Sequence, residues 1–144
     1  MLLTELLHPG LVSALAAAGH GGQVLLADGH YPASTAVGPN AATVHLNLAP
    51  GLLDVSTVLD VLLRVVPVEA AAVMVPPPGA PEPPAIAAHR RAVAEVGVAE
   101  VEQVDRFDFY DRARGPDLAL VVVTADVRTY ANLLLTLGVR RTGL

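Results

Sequence analysis

Residues 118–124 read LALVVVT, an apolar run rich in β-branched side chains that does not alternate with polar ones. A strand with one wet face alternates, so an unbroken run of this kind reads as a central strand covered on both faces. Residues 23–27, QVLLA, repeat the pattern between Gly21-Gly22 and Asp28-Gly29 and read as a second buried strand. Strands buried on both faces belong to sheets that are largely parallel, and helices make the connections. Apolar spacing at Leu11, Leu15 and Ala18 gives a helix over Pro9–Ala18, with Gly19 placed to stop it in a left-handed conformation. Leu53–Val66 has helical periodicity up to Pro67, Ala85–Val96 up to Gly97, and Phe107–Arg114 is a short helix. Thr43–Leu48, Ala70–Val75 and Val101–Val104 read as strands, whereas Leu133–Val139 fits either element. The fold expected is α/β, a single domain over residues 1–144 with three layers and a largely parallel central sheet flanked by helices. The stretch PPPGAPEPP, Pro76–Pro84, is then a surface loop, because too little chain lies on either side of it for two cores.

Hydrophobic residues make up 53% of the chain and charged ones only 16%. That is more apolar surface than one core of this size hides, so the surplus points to a subunit interface and a homo-oligomer. A membrane is the other outlet, but Asp54, Asp60, Arg64, Pro67 and Glu69 interrupt the longest apolar region, Leu52–Val75. The apolar N-terminus carries Glu5, His8 and Pro9 and has no preceding Lys or Arg, unlike a secretory signal. The reading is a cytoplasmic protein with no membrane partner. A net charge of −5, three Tyr, two Phe and no Trp leave neither the cationic footprint nor the stacking platforms of a nucleic-acid binder. With no Cys there is no disulfide, thiol nucleophile or zinc-thiolate site.

In open α/β sheets polar ligands gather at the carboxyl ends of the strands. Three polar clusters follow strands in this way: Asp28, Asp105-Arg106, and Asp126 to Asn132. They are expected to form one site. Gly19-His20-Gly21-Gly22 places a histidine in a turn between a helix and a buried strand. Such a histidine is ordinarily an exposed or capping residue, yet an unperturbed imidazole titrates near 6.5 and moves protons in both directions. Asp28 before Gly29 is either a turn aspartate or a residue that orients His20 or accepts a ligand hydroxyl. Arg106 forms either a weak surface ion pair with Asp105 or Asp108, or a ligand contact. Tyr130-Ala131-Asn132 offers a phenol and an amide around a small residue, either turn chemistry or a set that reads hydroxyl patterns. The five histidines show no metal-site spacing such as HExxH. Gly19, Gly21 and Gly22 precede a strand, unlike a dinucleotide fingerprint, and Ser34 lacks the glycines of a nucleophile elbow. No metal and no cofactor is implied.

Three segments, GHGGQVLLADGHYPAS (19–34), DRFDFYDRA (105–113) and TADVRTYANLLLTLGV (124–139), together resemble the ribose pyranase and fucose mutarotase family, RbsD/FucU. They stand in the family's order and approximate spacing, with a looser middle around Met74 and His89-Arg90-Arg91. The resemblance implies an α/β fold in a ring-like oligomer, commonly a decamer, with sites near subunit interfaces. It implies that His20 is the acid/base residue, that Asp28 and Arg106 contact the substrate, and that Tyr130, Ala131 and Asn132 hold it. The substrate implied is a free monosaccharide whose anomers are interconverted without a cofactor. Arg106 in RFDFY, the following Asp111-Arg112-Ala113 and Asp28-Gly29-His30-Tyr31-Pro32 resemble the fucose branch, where the ribose branch tends to carry a histidine near position 106. Ala131 is closer to the ribose pyranases, and Pro76–Pro84 departs from the family pattern. The expectation is therefore an L-fucose mutarotase, with a ribose pyranase or a non-catalytic sugar-binding module as alternatives.

Overall fold

The two apolar runs lie side by side. In the computed structural model, which describes residues 1–142, β1 (Gln23–Ala27) pairs in parallel with β5 (Leu118–Val123), Leu25 opposite Val121 and Ala27 opposite Val123. The remaining strands are β2 (Ala42–His45), β3 (Val68–Met74), β4 (Glu102–Val104) and β6 (Leu133–Leu137). They complete one six-stranded sheet in the order β2-β5-β1-β6-β3-β4. All neighbouring pairs are parallel except those of β6, which runs antiparallel to both β1 and β3. The antiparallel pairing settles the ambiguous Leu133–Val139 segment as a strand. Its Leu-rich sequence lacks the β-branched bias that marks β5, and its identity comes from two neighbours far away in the chain.

Side-chain alternation along each strand divides the core in two. Val24 and Leu26 of β1 face one layer with Leu120 and Val122 of β5, and are covered by α1 (Pro9–Ala17), α2 (Val55–Leu62) and α3 (Pro84–Glu95). Leu25 and Ala27 face the other with Val121 and Val123, under α4 (Arg106–Ala113) and the segment containing Tyr31 and Ala36. This is the three-layer arrangement expected of strands that are apolar on both faces. The α2 helix begins at an Asp54 cap, whose carboxylate accepts the Thr57 N–H at 2.7 Å. Asp105 likewise caps α4, accepting from the Phe107 and Asp108 N–H groups at 2.9 and 3.0 Å. Among the described residues no helix is long and apolar enough to cross a membrane.

One local expectation is corrected. Gly19 does not end α1 in a left-handed turn: the helix stops at Ala17, and its cap, Ala18, is extended. The left-handed residue is Gly21, at φ 82°, whose N–H donates to the Leu137 carbonyl at 2.9 Å. The turn is thus set by docking onto the far end of β6, which local sequence does not specify. Gly97, at φ 95°, does close α3 as its position suggested.

Candidate functional site

The parallel arrangement brings the carboxyl ends of β1, β3, β4 and β5 to one edge, joined there by the start of the antiparallel β6. Asp28 follows β1 directly and is 2% exposed. Its backbone N–H donates to the Asn132 side-chain oxygen at 2.8 Å, and its carboxylate accepts the His30 N–H at 2.9 Å. Burial pushes the Asp28 carboxyl above its usual range, against the pull of the His30 N–H and charge and of the Ala131 and Tyr31 N–H groups. A carboxylate held this way is a strong acceptor for a hydroxyl brought to the same corner.

Arg106 opens α4 immediately after the Asp105 cap, so the helix start fixes where its guanidinium emerges. Its Nε–H donates to the Tyr110 hydroxyl at 3.2 Å, one helical turn away, and its Cζ lies 5.7 Å from the ring centres of both Phe107 and Tyr110. Tyr110 in turn stands edge-on to Tyr31, 5.5 Å between ring centres. Tyr130 adopts φ 58°, a left-handed conformation unusual for an aromatic residue, and so presents its ring beside Arg106 at the cavity. Asp28, Arg106, Tyr130 and Asn132 line a cavity of about 220 Å³ together with Tyr31 and Tyr110. That volume accommodates one monosaccharide ring, with carboxylate, guanidinium, phenol and amide groups at its wall. A wider cleft of about 830 Å³ under the proline-rich loop shares Arg106 and Tyr130 with it.

Ala131 is fully buried and its side chain belongs to the core, so its methyl group does not line the cavity. His20 is elsewhere. Its ring lies against Glu69 at the start of β3, Nε2 3.0 Å from one carboxylate oxygen and 3.1 Å from the other. The neighbouring Gly21 is bonded to Leu137 at the end of β6, whereas Asp28 is bonded to Asn132 just before its start. The five residues of β1 between them span about 17 Å. Within one chain Asp28 therefore does not orient His20.

Several participants were not singled out from sequence. Tyr110 stands four residues after Arg106 and shares its helix face, a spacing that could have revealed it. Tyr31 and Thr129 line the cavity through loop folding that no local pattern encodes. Behind the site, Asp126 is 1% exposed and receives the Arg128 guanidinium, at 3.0 Å from Nε and 2.6 Å from Nη2, and the Val55 N–H at 2.9 Å. Burial alone would raise the Asp126 carboxyl, but these bonds outweigh it and hold the group below its ordinary range. Arg128 also donates to the Ser56 hydroxyl at 3.0 Å, tying the segment before Tyr130 to α2. Among the described residues no three His, Asp or Glu side chains cluster as a metal site.

Comparison with known proteins gives a consistent picture. Residues 1–140 match the RbsD / FucU transport protein family. FucU from Bifidobacterium longum is 29% identical, with a TM-score of 0.78 over 92% of this chain and 94% of that one. The fucose mutarotase from Streptococcus pneumoniae, solved with L-fucose, is 24% identical, with a TM-score of 0.80 over 92% and 94%. RbsD from Bacillus subtilis, solved with D-ribose, is 23% identical, with a TM-score of 0.82 over 98% and 100%.

Proposed function

Given that this chain belongs to the RbsD/FucU family, we propose that it is a monosaccharide mutarotase, an isomerase whose substrate is L-fucose. The observation that carries the reading is the single-sugar cavity in which Asp28, Arg106, Tyr130 and Asn132 face one another at the strand ends. Asp28 accepts a sugar hydroxyl, Arg106 donates to oxygens on the ring, and Tyr130 with Asn132 fixes which hydroxyls fit. Arg106, in place of the histidine that the resemblance associates with the ribose branch, favours fucose.

In the reaction the anomeric hydroxyl loses a proton as the ring oxygen gains one and its bond to the anomeric carbon breaks. Rotation and reclosure, with the proton movements reversed, give the other anomer. No group is left behind and no electron pair leaves the sugar, so an acid/base residue suffices, contributing roughly 10²–10⁴-fold. His20 is that residue. Because it stands at the opposite end of the sheet from Asp28, a second copy of the chain delivers it to the cavity, and the site is complete only in a homo-oligomer. Exposed apolar residues on both sides of this edge, Leu48, Leu52, Phe107 and Val127, are the surface such copies would cover, in a ring of the decameric kind. The segments used require no cofactor, and a cytoplasmic location suits a free-sugar substrate.

Exchange NMR on equilibrated L-fucose tests the proposal. Faster anomer exchange with protein, lost in His20→Ala, is expected. Acceleration with D-ribose in place of fucose would move the protein to the pyranase branch, and saturable binding without acceleration would make it a sugar-binding module.

A further inference from the structure

His89, on α3, is fully buried, and no part of the chemistry above uses it. Its Nε2 lies 2.9 Å from the carbonyl oxygen of Ala131. A carbonyl only accepts, so Nε2 carries the hydrogen and donates it. Nδ1 is then a bare lone pair, and it has no hydrogen-bond partner. A buried, half-satisfied ring is costly to keep, and burial holds its pKa below the ordinary histidine value. The one bond it makes is directed at the segment that lines the sugar cavity.

Ala131 stands between Asp28 and His89. Its N–H helps to draw down the pKa of the Asp28 carboxyl, and its carbonyl is the His89 acceptor. Before it stands Tyr130 at φ 58°, and after it Asn132, which receives the Asp28 N–H. We propose that His89 is a positioning residue for sugar binding: its Nε2–H fixes the Ala131 carbonyl and so sets the Tyr130 ring and the Asn132 amide on either side. The proposal rests on the reading of that cavity as the sugar site. Without the bond, a fully buried carbonyl would lose its partner and the left-handed turn at Tyr130 would lose its brace, freeing the segment to adopt other conformations.

The side-chain amide of Gln places its nitrogen where Nε2 stands, whereas Leu fills the space and donates nothing. His89→Leu is expected to raise KM by about 10-fold or more with kcat changed far less, and His89→Gln to keep KM within about threefold of wild type. A merely structural histidine would not separate the two variants in KM. Should His89→Leu not fold, His89→Asn, whose amide is too short to reach Ala131, takes its place. The ¹⁵N shifts of the His89 ring in wild-type protein provide a readout that needs no sugar. The Nε2–H neutral tautomer is expected, and the Nδ1–H tautomer would overturn the proposal. Equal KM for the Gln and Leu variants would overturn it as well. If wild-type protein exchanges no sugar, the mutarotase reading fails by itself. The amide shifts of Tyr130 and Asn132 then decide the positioning role, moved in the Leu variant alone if it holds and alike in both if it does not.

Discussion

Two individually inactive variants should restore each other if His20 reaches the cavity of another copy. His20→Ala removes the proton carrier and leaves Asp28, Arg106 and Tyr130 untouched; Asp28→Asn removes the buried carboxylate and leaves His20 untouched. The two positions flank β1, whose five residues keep them about 17 Å apart in one chain, several times the reach of a hydrogen bond. In an assembly reformed from an equal mixture, a site takes its His20 from one copy and its cavity from another. Both halves are intact in about one quarter of sites when copies associate at random through a heterologous contact. Mixed, dissociated with mild denaturant and reassembled, the pair should therefore recover about a quarter of wild-type anomer exchange, measured on L-fucose at equilibrium. An unreassembled mixture serves as the baseline. Activity no greater than the mean of the two separate variants, in a demonstrably mixed oligomer, would refute the idea that one site is built from two chains.

Asp28→Asn should also raise thermal stability at pH 7 while it lowers anomer exchange. Burial holds the Asp28 carboxyl above its usual range, so the folded state is disfavoured wherever the unfolded group is ionised and the folded one is forced to be. The stabilisation relative to wild type should shrink as pH falls through the raised folded value and be gone below the unfolded value of 3.8, and melting curves at pH 7 and pH 3 check the sign. Asp126 behaves oppositely: its lowered pKa contributes stability that is complete above 3.8 and lost as pH falls through the folded value. Arg128→Met, which strands the Asp126 carboxylate, should cost about 2 kcal/mol in denaturant unfolding, less than a fully buried pair because Arg128 is 35% exposed. Phe109, fully buried between α4 and the sheet and 6.4 Å from the Tyr31 ring centre, should cost about 3–5 kcal/mol on replacement by Ala. Because α4 carries Arg106, that variant should also bind sugar more weakly, which titration calorimetry would detect.

The sheet was legible because its two innermost parallel strands announce themselves: QVLLA and LALVVVT can be buried on both faces and nothing else in the chain explains them. The helices were legible from caps and breakers, with ends misplaced by a few residues where docking overrode local preference, as at Gly19. β6 was not, since a leucine-rich run takes its conformation from its neighbours. For the site, the three clusters after strands do converge, because parallel strands share a carboxyl edge. The separation of His20 from Asp28 was in principle readable too: one residue precedes a strand and the other follows it. His89 and Tyr31 were beyond the sequence because their partners are distant or set by loop geometry; the His89 acceptor, Ala131, lies 42 positions away.

The central claim, a mutarotase acting on a free sugar through His20, is tested most directly by two-dimensional exchange NMR on equilibrated L-fucose, D-ribose and D-galactose. Spectra with wild-type protein, with His20→Ala and without protein give the anomer exchange rate for each sugar. The expected result is acceleration with L-fucose by wild-type protein that is lost in His20→Ala. Exchange at the protein-free rate with all three sugars, or equal acceleration by wild type and His20→Ala, would contradict it.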